Sequence, residues 1–178
     1  MSYFNFQNYD LSHLDAFSLK YNYNEKADVI KEININIEFG FHCFTNDLFY
    51  YDKNKNKIPK DNINKDLLIT HLNETREFNL LRYEQSKQLP QLMQTLFKKD
   101  TNICFYSGKS NKGKIVYFRK ETILHNSDNY DYYIFFNSTR QKQILFYITS
   151  AYHREDNYDK LFSDNKIKLN TIIKKTLS

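Results

Sequence analysis

Leu89, Leu92, Met93, Leu96 and Phe97 fall at i, i+3, i+4, i+7 and i+8, the stripe of a helix that lays one apolar face on a core. The stretch from Arg76 to Phe97 therefore reads as the principal helix of the chain. Pro90 interrupts it: proline has no N–H and its ring meets the carbonyl four residues back, so the helix kinks or breaks near Gln88, or a second helix starts there. Carried back through the break, the helical phase sets Arg82, Ser86, Leu89 and Met93 in one narrow sector, with a cation and a hydroxyl at the edge of the core-facing side. The plain structural account of the two is an ion pair from Arg82 to a surface acid and a bond from Ser86 to a carbonyl of its own helix.

Elsewhere the period is two. Phe17, Leu19, Tyr21 and Tyr23 alternate with Ser18, Lys20 and Asn22. Ile33, Ile35, Ile37, Phe39, Phe41 and Cys43 alternate with Glu32, Asn34, Asn36, Glu38, Gly40 and His42. With the polar turn from Asn24 to Asp28 these predict a long antiparallel hairpin, and His42 closes its polar face. Residues 67–72 read as a short strand. After the helix, residues 102–107 and 114–119 flank a glycine-bounded turn, and a polar loop around His125 leads to residues 132–137 and 143–153, the two most strongly patterned strands. Residues 157–178 read as a short terminal helix or strand. Residues 51–66 carry Lys, Asn and Asp without apolar periodicity and read as an exposed loop or insertion. The expected architecture is α+β in a single domain, residues 1–178: an N-terminal β-hairpin, one principal helix kinked at its proline, and an antiparallel β-meander packed on that helix.

Composition narrows this picture only a little. With 178 residues, 15 Tyr and 15 Phe but no Trp, the chain has enough apolar mass for one core, and abundant Asn and Lys account for a mean hydropathy of -0.73. The net charge of +5 suits a polyanion, yet its Lys and Arg are spread along the chain among acids. Cys43 and Cys104, in aromatic strand-like settings, read as reduced, buried small hydrophobes. Neither a secretory leader nor a run of about 18 apolar residues is present, so a cytoplasmic protein without a membrane partner is expected. The five histidines are scattered and neither cysteine has zinc-ligand spacing, so neither metal nor cofactor is expected. Gly108 to Lys114 matches the start of a phosphate loop, but Ile115 stands where the hydroxyl belongs and a strand follows, which removes that reading.

What remains is a set of groups of the kind that cleaves RNA without metal. The 2′-hydroxyl must lose a proton to a base, the leaving oxygen must gain one, and the phosphorane charge needs a cation or hydroxyl donor. His42 is the candidate base, Arg82 and Arg140 the phosphate clamps, Ser150 and Tyr152 the transition-state donors, and Arg76, Ser86 and Thr149 binding groups. The same residue types also serve a non-catalytic module that binds protein or RNA, such as an inhibitor, immunity protein or regulator from a mobile element, or a homodimer that buries its strand faces. Catalysis predicts that a few polar groups converge in one cleft, whereas binding predicts a broad, flatter aromatic patch.

Several islands together resemble a family of small stand-alone bacterial proteins of unknown function: Tyr9 to Asp15, His42 to Thr45, Arg76 with Phe78, Arg82 with Tyr83, Ser86 with Leu89 and Pro90, and Ser150 to Tyr152. In topology, a helical segment followed by an antiparallel sheet that ends in residues 147–152 looks like the ribonuclease superfamily of barnase, EndoU, the colicin ribonucleases and RelE. That likeness implies catalytic His, Arg, Ser or Thr, and Tyr on the sheet face. The long hairpin ahead of the helix departs from it, and no second well-placed histidine is evident.

Overall fold

The N-terminal alternation closes the expected hairpin: β1 (Phe17–Lys26) pairs antiparallel with β2 (Val29–Phe39), Phe17 opposite Ile37 and Tyr21 opposite Ile33. The computed structural model describes residues 6–26, 29–99, 102–106, 116–125, 128–153 and 166–178. Tyr21, Tyr23, Ile35, Ile37 and Phe39 are buried, while Ser18, Lys20 and Asn22 face solvent.

β2 stops four residues sooner than its pattern predicts. Gly40 turns the chain hard against a later strand, β11 (Ile144–His153), donating its N–H to the Ile148 carbonyl at 2.7 Å, and Phe41–Cys43 then coil into a 3-10 turn. A Cβ at position 40 would stand 2.8 Å from the Tyr147 hydroxyl and 3.1 Å from the carbonyls of Ile148 and Thr149, so this close approach needs glycine. Phe41 and Cys43 still reach the core, which is why the turn imitates a strand in sequence.

A three-stranded sheet, in the order β3, β7, β6, is built from β3 (Thr45–Asn46), β6 (Leu68–His71) and β7 (Glu74–Phe78). Arg76 and Phe78 therefore belong to a strand and not to the helix. Between β3 and β6, the segment read as an exposed loop holds a small hairpin, β4 (Phe49–Tyr51) with β5 (Lys57–Pro59), and a 3-10 turn at Lys65–Leu67. Its tip is tied by the Asp52 carboxylate, which accepts from the backbone N–H groups of Asn54 and Asn56 at 2.8 and 2.7 Å.

The helix starts at Leu80, where Asn79 caps it by accepting the Arg82 N–H at 2.8 Å. It runs as α1 (Leu80–Ser86), breaks at Lys87 and Gln88, and resumes as α2 (Leu89–Lys99) with Pro90 in its first turn, where a missing N–H costs nothing. Leu89, Met93, Leu96 and Phe97 are buried; each such side chain contributes on the order of 2 kcal/mol.

The remaining strands are β8 (Asn102–Tyr106), β9 (Val116–His125), β10 (Asp128–Arg140) and β12 (Lys166–Lys168), followed by α3 (Leu169–Leu177). One seven-stranded sheet runs β1-β2-β11-β10-β9-β8-β12. Its neighbours are antiparallel except β2 and β11, which pair in parallel from Ile35 with Ile144 to Phe39 with Ile148. His125, expected in a polar loop, is the last residue of β9 within this sheet. The glycine-bounded turn at 108–113, the Cys104 side chain and residues 157–165 lie outside the described residues. α2 and α3 cover one face of the sheet, with Phe97 edge-on to Phe146 at 5.1 Å and Ile172 and Ile173 fully buried. Among the described residues no helix is long and apolar enough to cross a membrane.

Candidate functional site

The parallel seam between β2 and β11 ends where Gly40 turns, and that end gathers three segments distant in sequence. The 3-10 turn supplies His42, followed by Thr45 and Asp47; β7 supplies Glu74 and Arg76; the first turn of α1 supplies Arg82. Tyr152, near the end of β11, lies beneath the last of these.

Arg76 is only 4% exposed and is surrounded by oxygen acceptors. Its Nε donates to Thr45 Oγ1 at 2.8 Å, its Nη1 to Glu74 Oε1 at 2.9 Å and to Asp47 Oδ1, and its guanidinium lies 5.9 Å from the Phe41 ring centre. Thr45 Oγ1 passes its own proton to the Phe41 carbonyl at 2.7 Å, which fixes the 3-10 turn to β7. Arg76 is thus the internal counter-charge of two carboxylates, held inside the protein.

Arg82 is held differently. Its Nη1 donates to the carbonyls of Thr45 and His42 at 2.6 and 3.0 Å, and its guanidinium stacks 4.3 Å from the centre of the Tyr152 ring. Among the described residues no carboxylate pairs with it, so the surface ion pair expected for it is replaced by two carbonyls and a ring. Burial pulls its pKa down and the nearby Arg76 charge adds to this, yet a guanidinium remains cationic. A cation in the first turn of a helix also opposes the helix dipole. Arg82 is therefore a fixed, partly buried positive charge with unfilled donors, the arrangement that receives an anion.

His42 is one third exposed; its Nε2 lies 2.9 Å from Glu74 Oε2. With Nε2–H donating to that carboxylate, Nδ1 is left as a proton acceptor. Burial would raise the Glu74 pKa, but hydrogen bonds from His42 and Arg76 outweigh it and hold the carboxyl below its ordinary value. Glu74 thus couples His42 to Arg76, while Arg82 is tied to the same turn through the His42 carbonyl. Tyr147 borders this group: burial raises its phenol, and Cys43, Glu38 and Glu74 reinforce the shift. Cys43, beneath the turn, is fully buried and its thiol is pushed up to about 12 by burial, so it is a packing residue without nucleophilic character at neutral pH.

Of the residues picked from the sequence, His42, Arg76, Arg82 and Tyr152 come together. His42 does so from a 3-10 turn, since β2 has already ended. Ser150 lies two residues before Tyr152 on the same face of β11, paired with Phe135. Thr149 occupies the bulge just before Ser150, opposite the step from Phe135 to Phe136, and donates to the Phe135 carbonyl at 3.1 Å, a structural bond. Arg140 is at the far end of β10, roughly 20 Å from Tyr133 and its partner Tyr152 at about 3.3 Å per residue, and donates to the Leu177 carbonyl at the end of α3. It is not a second clamp on this site. Ser86 is fully buried; its hydroxyl donates to the Tyr83 carbonyl at 2.7 Å, as the plain account predicts, and meets His13 Nε2 at 2.7 Å. Burial lowers the His13 pKa, so this pair is a neutral clasp between the N-terminal arm and α1, closed to substrate.

Sequence reasoning missed Glu74, Thr45 and Asp47. A signal existed for Glu74: once residues 74–78 are read as a strand, Glu74 and Arg76 fall on one side two residues apart. Among the described residues no group of three or more His, Cys, Asp or Glu is placed to hold a metal ion. Comparison with curated proteins and with solved structures gives no match. The chain matches the model of the YjaZ family over residues 2–177, and it belongs to that family.

Proposed function

We propose that the protein is a metal-independent endoribonuclease whose centre is His42, Glu74, Arg82 and Tyr152. The observation that carries this reading is the pairing, in one small site, of a carboxylate-oriented imidazole with a guanidinium that has no carboxylate partner among the described residues. In the reaction, Nδ1 of His42 takes the proton of a ribose 2′-hydroxyl, and the freed oxygen attacks the adjacent phosphorus. Arg82 neutralises the charge that builds on the phosphorane oxygens. The bond from phosphorus to the 5′ oxygen breaks, and Tyr152, electrostatically coupled to Arg82, supplies the proton which that oxygen needs. The products are a 2′,3′-cyclic phosphate and a 5′-hydroxyl. Glu74 fixes the imidazole tautomer, and Arg76 holds Glu74 in place without touching substrate. This reading rests on the site and not on ancestry.

The test is RNA integrity and end-group analysis after incubation of purified protein with total RNA in EDTA, beside His42→Ala. Cleavage that leaves cyclic phosphate ends and disappears in the variant, with thermal stability kept, is expected. Intact RNA at high protein concentration would overturn the reading in favour of a module that binds protein or RNA without cleaving it.

A further inference from the structure

Far from this site, β1 is an edge of the seven-stranded sheet, with β2 on one side and, among the described residues, no strand on the other. Its open side can be located from one contact. Asn24 donates its N–H to Asn170 Oδ1 at 2.9 Å and accepts from Asn170 Nδ2 at 3.2 Å, so both backbone groups of Asn24 point away from β2. In an antiparallel strand that direction recurs at every second residue, so Ser18, Lys20 and Asn22 also turn their N–H and C=O groups outward. The Asn170 carboxamide thus acts as a one-residue stand-in for a neighbouring strand and leaves three equivalent positions open beside it.

The open positions border a groove. Two adjoining hollows of about 290 and 320 Å³ run along β1 against the end of α2, joined at Lys20, Phe97 and Lys98. Phe97 gives the groove an apolar floor, and no acidic residue lines either hollow. Lys98 makes no ion pair among the described residues, and Lys20 shares its charge with Glu32 while remaining 70% exposed.

We propose that this edge receives an extended, acidic segment of a partner protein, added to the sheet as an eighth strand. Backbone groups at Ser18, Lys20 and Asn22 supply the ladder, alternate apolar side chains of the segment lie over Phe97, and its carboxylates meet Lys20 and Lys98. A second copy of β1 fits poorly: antiparallel pairing about a two-fold axis sets Lys20 opposite or diagonal to its own copy in every register that pairs two or more of the open positions Ser18, Lys20 and Asn22, a like-charge contact. The acidic partner turns the same lysine from an obstacle into a contact.

The test uses a fluorescein-labelled peptide of alternating Glu and Val, with a Lys and Val peptide as control, followed by anisotropy and by amide shifts in the full chain. Binding of the acidic peptide alone, with shifts centred on Ser18, Lys20 and Asn22, is expected. Asn22→Pro deletes an outward N–H that β2 does not use and should weaken binding about tenfold. Lys98→Glu, an exposed change that leaves the fold untouched, should weaken it about fivefold. No binding at millimolar peptide, equal binding of the basic peptide, indifference to both variants, or concentration-dependent self-association through this edge would each overturn the proposal.

Discussion

Arg76 and Arg82 lie six residues apart, share the Thr45 carbonyl environment, and have opposite roles. Arg76 sits on β7, buried and encircled by Thr45, Asp47 and Glu74, so its charge is spent inside the protein. Arg82 sits on α1, half-buried, with two carbonyls and an aromatic face but, among the described residues, no carboxylate. Both are arginines near one turn, and among the described residues only the first has carboxylate partners. Charge availability, more than charge, distinguishes a structural cation from a binding one.

Three substitutions test that contrast. The largest effect should come from Arg82→Met, which removes the available charge while keeping much of the packing on Tyr152. Ribonuclease turnover is expected to fall about 10²–10³-fold, the scale seen when one transition-state donor is lost, with a melting temperature lowered by only a few degrees. Comparable losses of turnover and fold would make Arg82 a second structural arginine. Arg76→Met should do the reverse, destabilising the chain by about 3 kcal/mol because Thr45 and two carboxylates lose a buried partner; chemical denaturation measures this directly. If Arg76→Met keeps its stability but loses activity, the two assignments exchange.

The smallest effect belongs to Glu74→Gln. The Glu74 carboxyl titrates below its ordinary value of 4.5 in the folded chain, so its contribution is present above that pH and is lost as pH falls through the folded value. The carboxylate is nearly half exposed, and solvent screening keeps this contribution well under about 1 kcal/mol. Melting curves of wild type and variant should therefore differ slightly at neutral pH and converge below pH 4.5. Divergence that grows toward acid pH would show that Glu74 does not hold its proton-free form through His42 and Arg76.

How much of this was legible beforehand differs from residue to residue. The stripe from Leu89 to Phe97 and the alternation from Phe17 to Phe39 were readable because each buries a face at the period of its own backbone, and Pro90 marked the helix break through its missing N–H. The alternation through Phe41 and Cys43 misled, since a 3-10 turn can bury every second residue over such a short span. Reading Arg76 as helical failed for a similar reason: residues 74–78 carry mixed polarity because one side of β7 holds a buried arginine with its half-exposed carboxylate partners, which no hydrophobic period records. Arg140 looked equivalent to Arg82 in sequence, and only the direction of β10 separated them by its length.

Local periodicity, capping and side-chain chemistry were enough to read the α+β class, the N-terminal hairpin, the divided helix and the short list that contained His42, Arg82 and Tyr152 from the order of residues. Tertiary structure alone decided the parallel seam of β2 with β11, the turn at Gly40, and which arginine keeps an unspent charge. Those outcomes depend on contacts between residues up to about a hundred positions apart, as when the Gly40 N–H meets the Ile148 carbonyl, and a local pattern holds no record of such a meeting.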